Sequence, residues 1–359
     1  MSSRPRTVLF VVGARPNFIK VAALVRGFRA EAPQIRVRLV HTGQHYDYAM
    51  NEAFFQQLEI PVPDFTLEVG SASHAVQTAE IMIRFEPVLD AEQPDCIVVV
   101  GDVNSTIACA LVAAKKGVKV AHVEAGLRSR DRAMPEEINR VLTDQLSDRL
   151  YITERTALAN LEAEGISADK VVFAGNVMVD TLRWGLERAV VPTETDYAVL
   201  TLHRPSNVDQ PEVLTRLLET VAELPRVIFP VHPRTRAKIE EAGLSALLER
   251  GGIKAIPPCG YFEMLGLVRG ARLVLTDSGG LQEETTALGI PCVTLRENTE
   301  RPITLTEGTN TLVGTDAAAI RAAAQRALAE PERATRIPEG WDGRAANRIA
   351  ADLAAWLER

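Results

Sequence analysis

Residues 273–301, LVLTDSGGLQEETTALGIPCVTLRENTER, carry the clearest indication of the fold. Its apolar start, residues 273–275, predicts a buried parallel strand that runs into a helix. Between the strand and the helix stand Ser278, Gly279 and Gly280. Glycines let the backbone come close to a ligand, and a helix start directs unpaired N–H groups at it. This turn therefore predicts an anion site, which we interpret as a phosphate site.

Glu284 lies one turn into this helix, which Gly289 and Pro291 are predicted to end. A carboxylate at that position can accept hydrogen bonds from both hydroxyls of a ribose. A phosphate on the helix start and a ribose on Glu284 together describe a nucleotide held without a Walker lysine. The alternative is an ordinary strand–helix turn followed by a solvated QEE run. The later TER, residues 299–301, favours the nucleotide hypothesis.

The composition is that of a globular protein and narrows the range of partners. At 359 residues the chain exceeds one comfortable core, so two domains are expected. A net charge of −7 without a basic run argues against nucleic acid or an anionic membrane as a partner. The four cysteines show no paired spacing, which favours reduced thiols and a cytoplasmic protein. The N-terminus has no signal-peptide pattern, and no stretch approaches the roughly 20 apolar residues of a membrane span.

Short apolar runs alternate with helical stretches along the whole chain, which predicts α/β architecture with parallel sheets and helices on both faces. Since such sheets bind ligands beyond the carboxyl ends of their strands, we predict two Rossmann-like, doubly wound domains that face a central cleft. The predicted domains are residues 1–186 and 187–342, with the hinge in the polar stretch 187–196. A C-terminal helix in residues 343–359 is expected to pack back on the first domain. The predicted strands are residues 8–12, 37–42, 96–100, 118–123, 150–153, 171–173, 198–202, 227–231, 254–256, 273–275 and 293–295.

Acidic residues follow the central strands of the first domain. Asp102 comes directly after one predicted strand, and Glu124 ends the next. Asn104 and Ser105 are expected to cap the following helix, which would leave Asp102 available for chemistry. Glu124 at a buried strand end requires a partner, and Arg128 is the candidate.

A third carboxylate comes from the helix that Pro135 opens. We expect Ile138 to point into the core and Glu137, near Arg140, to be solvated, which leaves Glu136 to face the cleft. The three carboxylates would then share one edge of the first domain. Crowded carboxylates raise one another's pKa, which suits them to general acid–base catalysis.

Basic residues and histidines follow other predicted strands. Arg15 stands at the helix start after the first strand, where an anion would bind, although the stretch is not the GxGxxG of a dinucleotide site. His203 follows the first strand of the second domain and would face the carboxylates, whereas His232 is a weaker candidate. The loop around His45 is expected to reach the same cleft. Because the histidines and cysteines show no metal-ligand spacing, we expect neither a metal nor NAD.

Ten motifs span nearly the whole chain: VGARPNFIK, HTGQH, GDVNST, HVEAGLRS, MPEEINR, AGNVMVDTL, LHRPSNVD, PVHPRTR, TDSGGLQEE and ENTERP. In this order they resemble the motifs of the non-hydrolysing UDP-N-acetylglucosamine 2-epimerases. The resemblance implies a GT-B-like fold that closes over a UDP-sugar. It also implies interconversion of UDP-GlcNAc and UDP-ManNAc at C2, without NAD or metal, by a protein that commonly forms homodimers.

The resemblance further implies a role for each matched residue. UDP would be eliminated to leave a 2-acetamidoglucal, and readdition after protonation on the other ring face would invert C2. The residues expected to be catalytic are Asp102, Glu124, Glu136 and His203. The residues expected to bind the substrate are Arg15, Lys20, Gln44, His45, Arg128, Arg204, His232, Met264, Ser278, Gly279, Gly280, Glu284 and Arg301.

Departures from the well-known bacterial members bear on regulation and on the sugar. Tyr46 stands where they have an arginine, which leaves open their activation by a second UDP-GlcNAc. Ile303 replaces a glutamate, and Met264 replaces an aromatic residue near the uracil. HTGQHYD and GDVNST also occur in relatives that act on diacetamido-uronic acid UDP-sugars, so a sugar of that class is a second candidate substrate. Three further hypotheses for the function are a UDP-GlcNAc transferase, a hydrolysing epimerase and a nucleotide-sugar sensor.

Overall fold

The chain forms two compact units, each built around a parallel β-sheet, as the alternation of apolar runs and helices predicts. Unit 1 comprises Met1–Thr181 and Glu339–Arg359, and unit 2 comprises Leu182–Pro338. The computed structural model describes residues 4–43, 54–249, 251–329 and 336–359.

Among its described residues, unit 1 contains a seven-stranded sheet of β1 (Thr7–Val12), β2 (Arg36–His41), β3 (Phe65–Thr66), β4 (Cys96–Val100), β5 (Lys119–Ala125), β6 (Arg149–Ile152) and β7 (Val171–Phe173). All strands pair in parallel, in the order β3-β2-β1-β4-β5-β6-β7. β1 and β4 are buried at every residue, as the apolar runs 8–12 and 96–100 predict. β3 was not predicted from the sequence, because this edge strand has only two residues and no apolar run.

Helices cover both faces of the unit 1 sheet. On one face Leu9 and Val11 pack in a cluster with Phe85. On the other face Phe10 meets Phe28 edge to face, with ring centroids 5.1 Å apart. Side chains alternate along a strand, so β1 supplies both layers of the core. The helices are α1 (Arg15–Glu31), α2 (His74–Glu92), α3 (Asn104–Lys115), α4 (Pro135–Leu146), α5 (Thr156–Ala163) and α6 (Val177–Gly185), with a 3₁₀ helix at Ala168–Lys170. The boundary between the two units falls within α6, after Thr181.

The described part of unit 2 contains a six-stranded sheet of β8 (Ala198–Thr201), β9 (Val227–Pro230), β10 (Ile253–Ile256), β11 (Leu273–Thr276), β12 (Cys292–Thr294) and β13 (Asn310–Leu312). Its strands are also parallel, in the order β10-β9-β8-β11-β12-β13. Leu200, Phe229 and Leu275 lie at the centre of its core. The helices are α7 (Pro205–Val208), α8 (Pro211–Ala222), α9 (Pro233–Glu241), α10 (Tyr261–Gly270), α11 (Gly279–Leu288), α12 (Ile303–Thr306) and α13 (Ala317–Ala329), with a 3₁₀ helix at Ser245–Glu249.

The last helix, α14 (Ala345–Leu357), belongs to unit 1 and packs on α1. A Cβ on Gly27 of α1 would lie 2.7 Å from the backbone of Ala346, so only glycine allows this close approach. The first turn of α14 is held by Asp180, whose carboxylate accepts hydrogen bonds from the N–H groups of Ala345 at 3.1 Å and Ala346 at 2.7 Å. This carboxylate satisfies two of the N–H groups that a helix start leaves unpaired.

We predict that Asp180→Ala lowers the free energy of unfolding by about 1–2 kcal/mol, because it removes this cap. Urea denaturation followed by far-UV circular dichroism measures the change. The control is Asp342→Ala, which removes an exposed partner of Arg348 and is expected to change stability by less than about 0.5 kcal/mol. Equal losses in the two variants would contradict the capping role of Asp180.

Candidate functional site

The strand order of each sheet reverses at one point, and candidate residues follow the strands on either side of it. The reversal lies between β1 and β4 in unit 1 and between β8 and β11 in unit 2. Open parallel sheets bind ligands beyond the carboxyl ends of their strands at such a point. Asp102 follows β4, while His203 and Asp277 follow β8 and β11. The topology thus places candidate groups at the carboxyl edge of each sheet.

Asp102 is held by helix α4. It follows Gly101, whose φ of +67° turns the chain sharply at the end of β4. The carboxylate forms an ion pair with Arg140, and 25% of the Asp102 side chain is exposed. Asn139 also donates a hydrogen bond to the Asp102 carbonyl at 2.9 Å. Both the backbone and the side chain of Asp102 are therefore held by α4, while part of the side chain remains exposed.

The prediction that Asn104 and Ser105 cap α3 is wrong. The N-cap residue is Val103, and no side chain caps the helix. Asn104 instead donates to Gln77 at 2.8 Å, and the Ser105 hydroxyl bonds the Thr42 hydroxyl at 2.7 Å. Both side chains find partners in neighbouring elements, which the local sequence pattern does not reveal.

Glu124 stands in an unusual backbone conformation near the end of β5. Its φ is +72°, and the register between β5 and β6 shifts between Val123 and Ala125. The side chain is only 3% exposed and forms an ion pair with Lys20 of α1. The Lys20 ammonium nitrogen lies 3.1 Å from where a Cβ on Gly101 would be. Lys20 therefore lies against the ends of both β4 and β5, and it supplies the opposite charge that a buried carboxylate requires.

The expectation that Arg128 pairs with Glu124 is wrong. Arg128 is buried and forms ion pairs with Asp144 at 2.7 Å and with Glu164 at 2.6 Å. It thereby fixes the loop after β5. The reason for the difference is tertiary: Lys20 reaches Glu124 from a helix far away in the sequence, whereas Arg128 is only near it along the chain.

The reasoning that selected Glu136 is also wrong, because the phase of α4 differs from the expected one. Glu137 is buried and accepts hydrogen bonds from the Ser129 N–H at 2.9 Å and from Arg140 at 3.0 Å, so it is not solvated. Ile138 is 41% exposed and does not point into the core. Glu136 is half-buried in the first turn of α4, and its role stays a prediction.

Arg140 was not predicted from the sequence as a site residue. Its guanidinium contacts Asp102 and Glu137. The three-residue spacing between Glu137 and Arg140 is typical of a helical ion pair and could have indicated half of this arrangement. The contact with Asp102 required the fold.

In unit 2, α11 begins directly after β11, and its N-terminus is a candidate anion site. Ser278 is the N-cap residue, and Gly279 and Gly280 form the start of the helix, as predicted. A Cβ on Gly279 would lie 2.8 Å from both the Arg301 guanidinium and the Glu300 carboxylate. The guanidinium therefore lies beside the N-terminus of the helix. The helix N-terminus and the Arg301 guanidinium both favour an anion such as a phosphate.

The Arg301 guanidinium is oriented by two carboxylates. Its Nε lies 2.9 Å from Glu283, and Glu300 also contacts it. Glu300 in turn lies 2.9 Å from Arg296 and 3.9 Å from Arg204. This network holds three cations near the carboxyl edge of the unit 2 sheet in fixed positions.

Glu284 is buried, one turn into α11. Burial and the neighbouring charge of Glu283 raise the pKa of Glu284 to about 8. The carboxyl group is consequently mostly neutral at pH 7. A buried acid with a strongly raised pKa is characteristic of a functional position.

His203 and Asp277 form a pair across the switch point of unit 2, since they follow β8 and β11. The Nδ1 atom of His203 lies 2.8 Å from the Asp277 carboxylate, and the His203 side chain is 45% exposed. His203 was predicted from the sequence as a site residue, whereas Asp277 was not.

The structure describes some of the remaining predicted site residues and not others. His232 is exposed and accepts a hydrogen bond from the N–H of residue 234 at the start of α9. Met264 is half-buried against the core of unit 2. Arg15 opens α1, but its side chain lies outside what the structure describes, as do Gln44 and His45 entirely.

Metal clusters and membrane-spanning helices are both absent from the described residues. No group of three or more His, Cys, Asp or Glu side chains within these residues could hold a metal ion. No helix formed by them is long and apolar enough to cross a membrane.

Two units built on parallel sheets of seven and six strands define a GT-B-like α/β protein. Acids in ion pairs follow strands of one sheet, and a helix N-terminus beside an arginine follows a strand of the other. Residues 29–354 match the family model described as UDP-N-acetylglucosamine 2-epimerase. The chain belongs to this family.

Individual relatives agree with the family assignment. A UDP-N-acetylglucosamine 2-epimerase of Methanococcus maripaludis is 44% identical over 85% of this chain and 87% of its own. A UDP-2,3-diacetamido-2,3-dideoxy-D-glucuronate 2-epimerase of Pseudomonas aeruginosa is 42% identical over 97% of this chain and 99% of its own. The crystal structure of the Methanocaldococcus jannaschii UDP-GlcNAc 2-epimerase, in complex with UDP-GlcNAc and UDP, matches with a TM-score of 0.90. It is 41% identical and covers 97% of this chain and 99% of that one.

Proposed function

We propose that this protein is an isomerase that interconverts UDP-GlcNAc and UDP-ManNAc by inverting C2 of the sugar. The observation that carries the proposal is the pair of acids at the ends of the adjacent strands β4 and β5, each held by its own cation. Membership of the UDP-N-acetylglucosamine 2-epimerase family supports a UDP-sugar as the substrate on which these acids act. The anion site at the start of α11 supports a nucleotide diphosphate as the rest of that substrate.

The reaction requires side chains that transfer protons. The C2 proton lies beside no carbonyl group and is not acidic by itself. Cleavage of the C1–O bond gives the sugar oxocarbenium character, which makes the C2 proton removable. UDP then leaves with the C1–O electron pair, and a base takes the C2 proton, which yields a 2-acetamidoglucal. Protonation of C2 on the opposite face and return of UDP to C1 give the epimer. Two groups that transfer protons on opposite faces are therefore required.

We assign the proton transfers to Asp102, Glu124, Glu136 and His203. A leaving diphosphate needs fixed positive potential. We therefore assign the phosphate contacts to Ser278, Gly279, Gly280, Arg301 and Arg15. Glu284 is assigned to the ribose hydroxyls. Lys20 and Arg140 position Glu124 and Asp102 through their ion pairs.

A second substrate is favoured by a specific observation. The Pseudomonas aeruginosa relative matches almost the full length of this chain, and its name gives a UDP-diacetamido-glucuronate as substrate. This protein would then invert C2 of the same sugar by the same chemistry. The two substrates differ at C3 and C6 of the sugar, so competition between them in one assay decides which this protein prefers.

The first test is proton NMR of the protein with each UDP-sugar in D2O, without added metal or NAD. We expect the C2 epimer to appear with deuterium at C2. Asp102→Asn and Glu124→Gln should each lower turnover by about 10²–10⁴-fold, because a proton-transfer group is lost. The matched control is Asp95→Asn, which alters a carboxylate at the opposite end of β4 and should stay within about threefold of the wild type.

The same spectra contain the contradicting outcomes. Free UDP with ManNAc would indicate a hydrolysing epimerase, and an epimer without deuterium would contradict exchange of the C2 proton with solvent. Near-normal turnover in either carboxylate variant would remove that residue from the chemistry.

The second test concerns Glu284 and UDP. A carboxylate that accepts two ribose hydroxyls must be ionised, whereas the pKa of about 8 leaves the free site mostly protonated at pH 7. UDP should therefore bind about tenfold more weakly at pH 7 than at pH 9, with proton release at pH 7. Isothermal titration calorimetry in two buffers of different ionisation enthalpy measures both quantities.

Glu284→Gln isolates this effect from the titration of UDP itself. The variant should bind UDP weakly at both pH values, and its affinity should lack the rise between pH 7 and pH 9. Glu240→Gln, a change at an exposed acid on α9, should keep the rise. A Glu284→Gln variant with wild-type affinity and pH dependence would refute the ribose contact.

We also propose that two copies of the chain associate through α2 and α4. Both helices pack against α3, and they expose apolar side chains: Val76 and Ile83 on α2, Ile138 and Leu142 on α4. The spacing of each pair, seven and four residues, places its members on one side of the helix. Exposed apolar side chains on neighbouring helices are typical of an interface.

Light scattering after size exclusion tests this association. The wild type should have twice the 39.2 kDa mass of one chain. The double variant Ile83→Glu/Leu142→Glu should have the mass of one chain, because it buries charge at the interface. Val62→Glu alters a more exposed apolar residue of unit 1 outside these helices and should leave the mass unchanged. A monomeric wild type, or a dimeric double variant, would refute the interface.

A further inference from the structure

Asp277 is completely buried at the end of β11, and several donors converge on its carboxylate. The His203 Nδ1 atom lies 2.8 Å from Oδ1. The N–H groups of His203 and Arg204 donate to Oδ2 at 3.0 and 2.9 Å, and the Asn207 amide donates to it at 3.2 Å. The carboxylate thus fixes both the backbone and the ring of His203.

These contacts determine the protonation state of the Asp277 carboxylate. Burial raises the pKa of Asp277, but the hydrogen bonds and charge of His203 and the N–H of Arg204 outweigh burial and hold it below its ordinary value. An ionised carboxylate accepts hydrogen bonds and donates none. Its partner Nδ1 must therefore carry a proton, which leaves Nε2 as the nitrogen that exchanges protons.

We propose that Asp277 is a positioning residue that keeps the proton on Nδ1 of His203, so that Nε2 is presented to the sugar nucleotide. The inference rests on the proposed role of His203 in proton transfer. A neutral imidazole in this tautomer accepts a proton at Nε2, and Asp277 stabilises the imidazolium that results, without itself taking the proton.

The position of Asp277 in the chain gives this arrangement a second consequence. The next residue, Ser278, is the N-cap of α11, where the anion site begins. The carboxylate that orients His203 is therefore part of the same turn as the phosphate-binding backbone.

The test combines NMR of the full chain, labelled with ¹⁵N at its six histidines, with kinetics. Long-range ¹H–¹⁵N spectra at pH 8 report the tautomer, and His203→Gln assigns the His203 signals. We expect Nδ1–H in the wild type and Nε2–H in Asp277→Asn, since an amide presents a donor or a weaker acceptor. Turnover of Asp277→Asn should fall by about 10²–10⁴-fold, as at other His–Asp pairs, while the Kd for UDP stays within about threefold.

Asn207→Ala is the matched variant, because it removes another donor to the same carboxylate but not the contact with His203. It should keep the Nδ1–H tautomer and lose less than about tenfold in turnover. An equal loss in Asn207→Ala and Asp277→Asn, or normal turnover in Asp277→Asn, would overturn the proposal. So would an Nε2–H tautomer in the wild type, which is decisive even if Asp277→Asn fails to fold. Failure of the proposed function is seen separately, as absence of epimerisation by the wild type.

Discussion

The buried ion pair of Lys20 with Glu124 is the interaction on which the carboxyl edge of unit 1 depends. A carboxylate that is 3% exposed is unfavourable unless an opposite charge meets it. Lys20 brings that charge from α1, and the absence of a side chain on Gly101 leaves room for it at the end of β4. Removal of one partner from such a pair typically costs about 3–5 kcal/mol. The stability of unit 1 therefore depends on this position, and a variant of Lys20 is expected to lower it.

Ion pairing also offsets the negative charge of the carboxylates in each unit. A nucleotide sugar carries negative charge on its diphosphate, and unpaired carboxylates would repel it. In unit 1, Lys20 and Arg140 offset the charges of Glu124 and Asp102. In unit 2 the start of α11 and Arg301 contribute positive potential. Each unit thus offsets the charge of its own carboxylates with its own cations.

The sequence predicted the parts of this structure that follow from local pattern. Buried strands such as β1 and β4 were found because apolar runs mark them, and Gly289 ends α11 in the left-handed conformation, as expected of glycine. The strands β3 and β13 were missed because they are two and three residues long and have no apolar run. The side of α4 that faces the core was predicted wrongly. Its apolar residue Ile138 is exposed, so hydrophobicity did not indicate the buried side.

The partners of the charged residues could not be predicted for a different reason. Lys20 meets Glu124, and Asp277 meets His203, through contacts between elements that are distant in the chain. Proximity in the sequence instead suggested Arg128 for Glu124, which the fold uses elsewhere. Motifs identify the residue types that chemistry needs, whereas the groups that orient them are determined only when the sheets form.

Fold alone does not separate an epimerase from other proteins built from two Rossmann-like units, so the site must. Val100 and Val123 pair on adjacent strands, which lie roughly 4.8 Å apart in a parallel sheet. Glu124 directly follows Val123, and Asp102 follows Val100 after Gly101. Their surroundings nevertheless differ, since 25% of the Asp102 side chain but only 3% of the Glu124 side chain is exposed. Neighbouring acids in different surroundings take different roles in acid–base catalysis. Inversion at a carbon needs one group to remove a proton and another to supply one, and this difference in exposure favours such a division between the two acids.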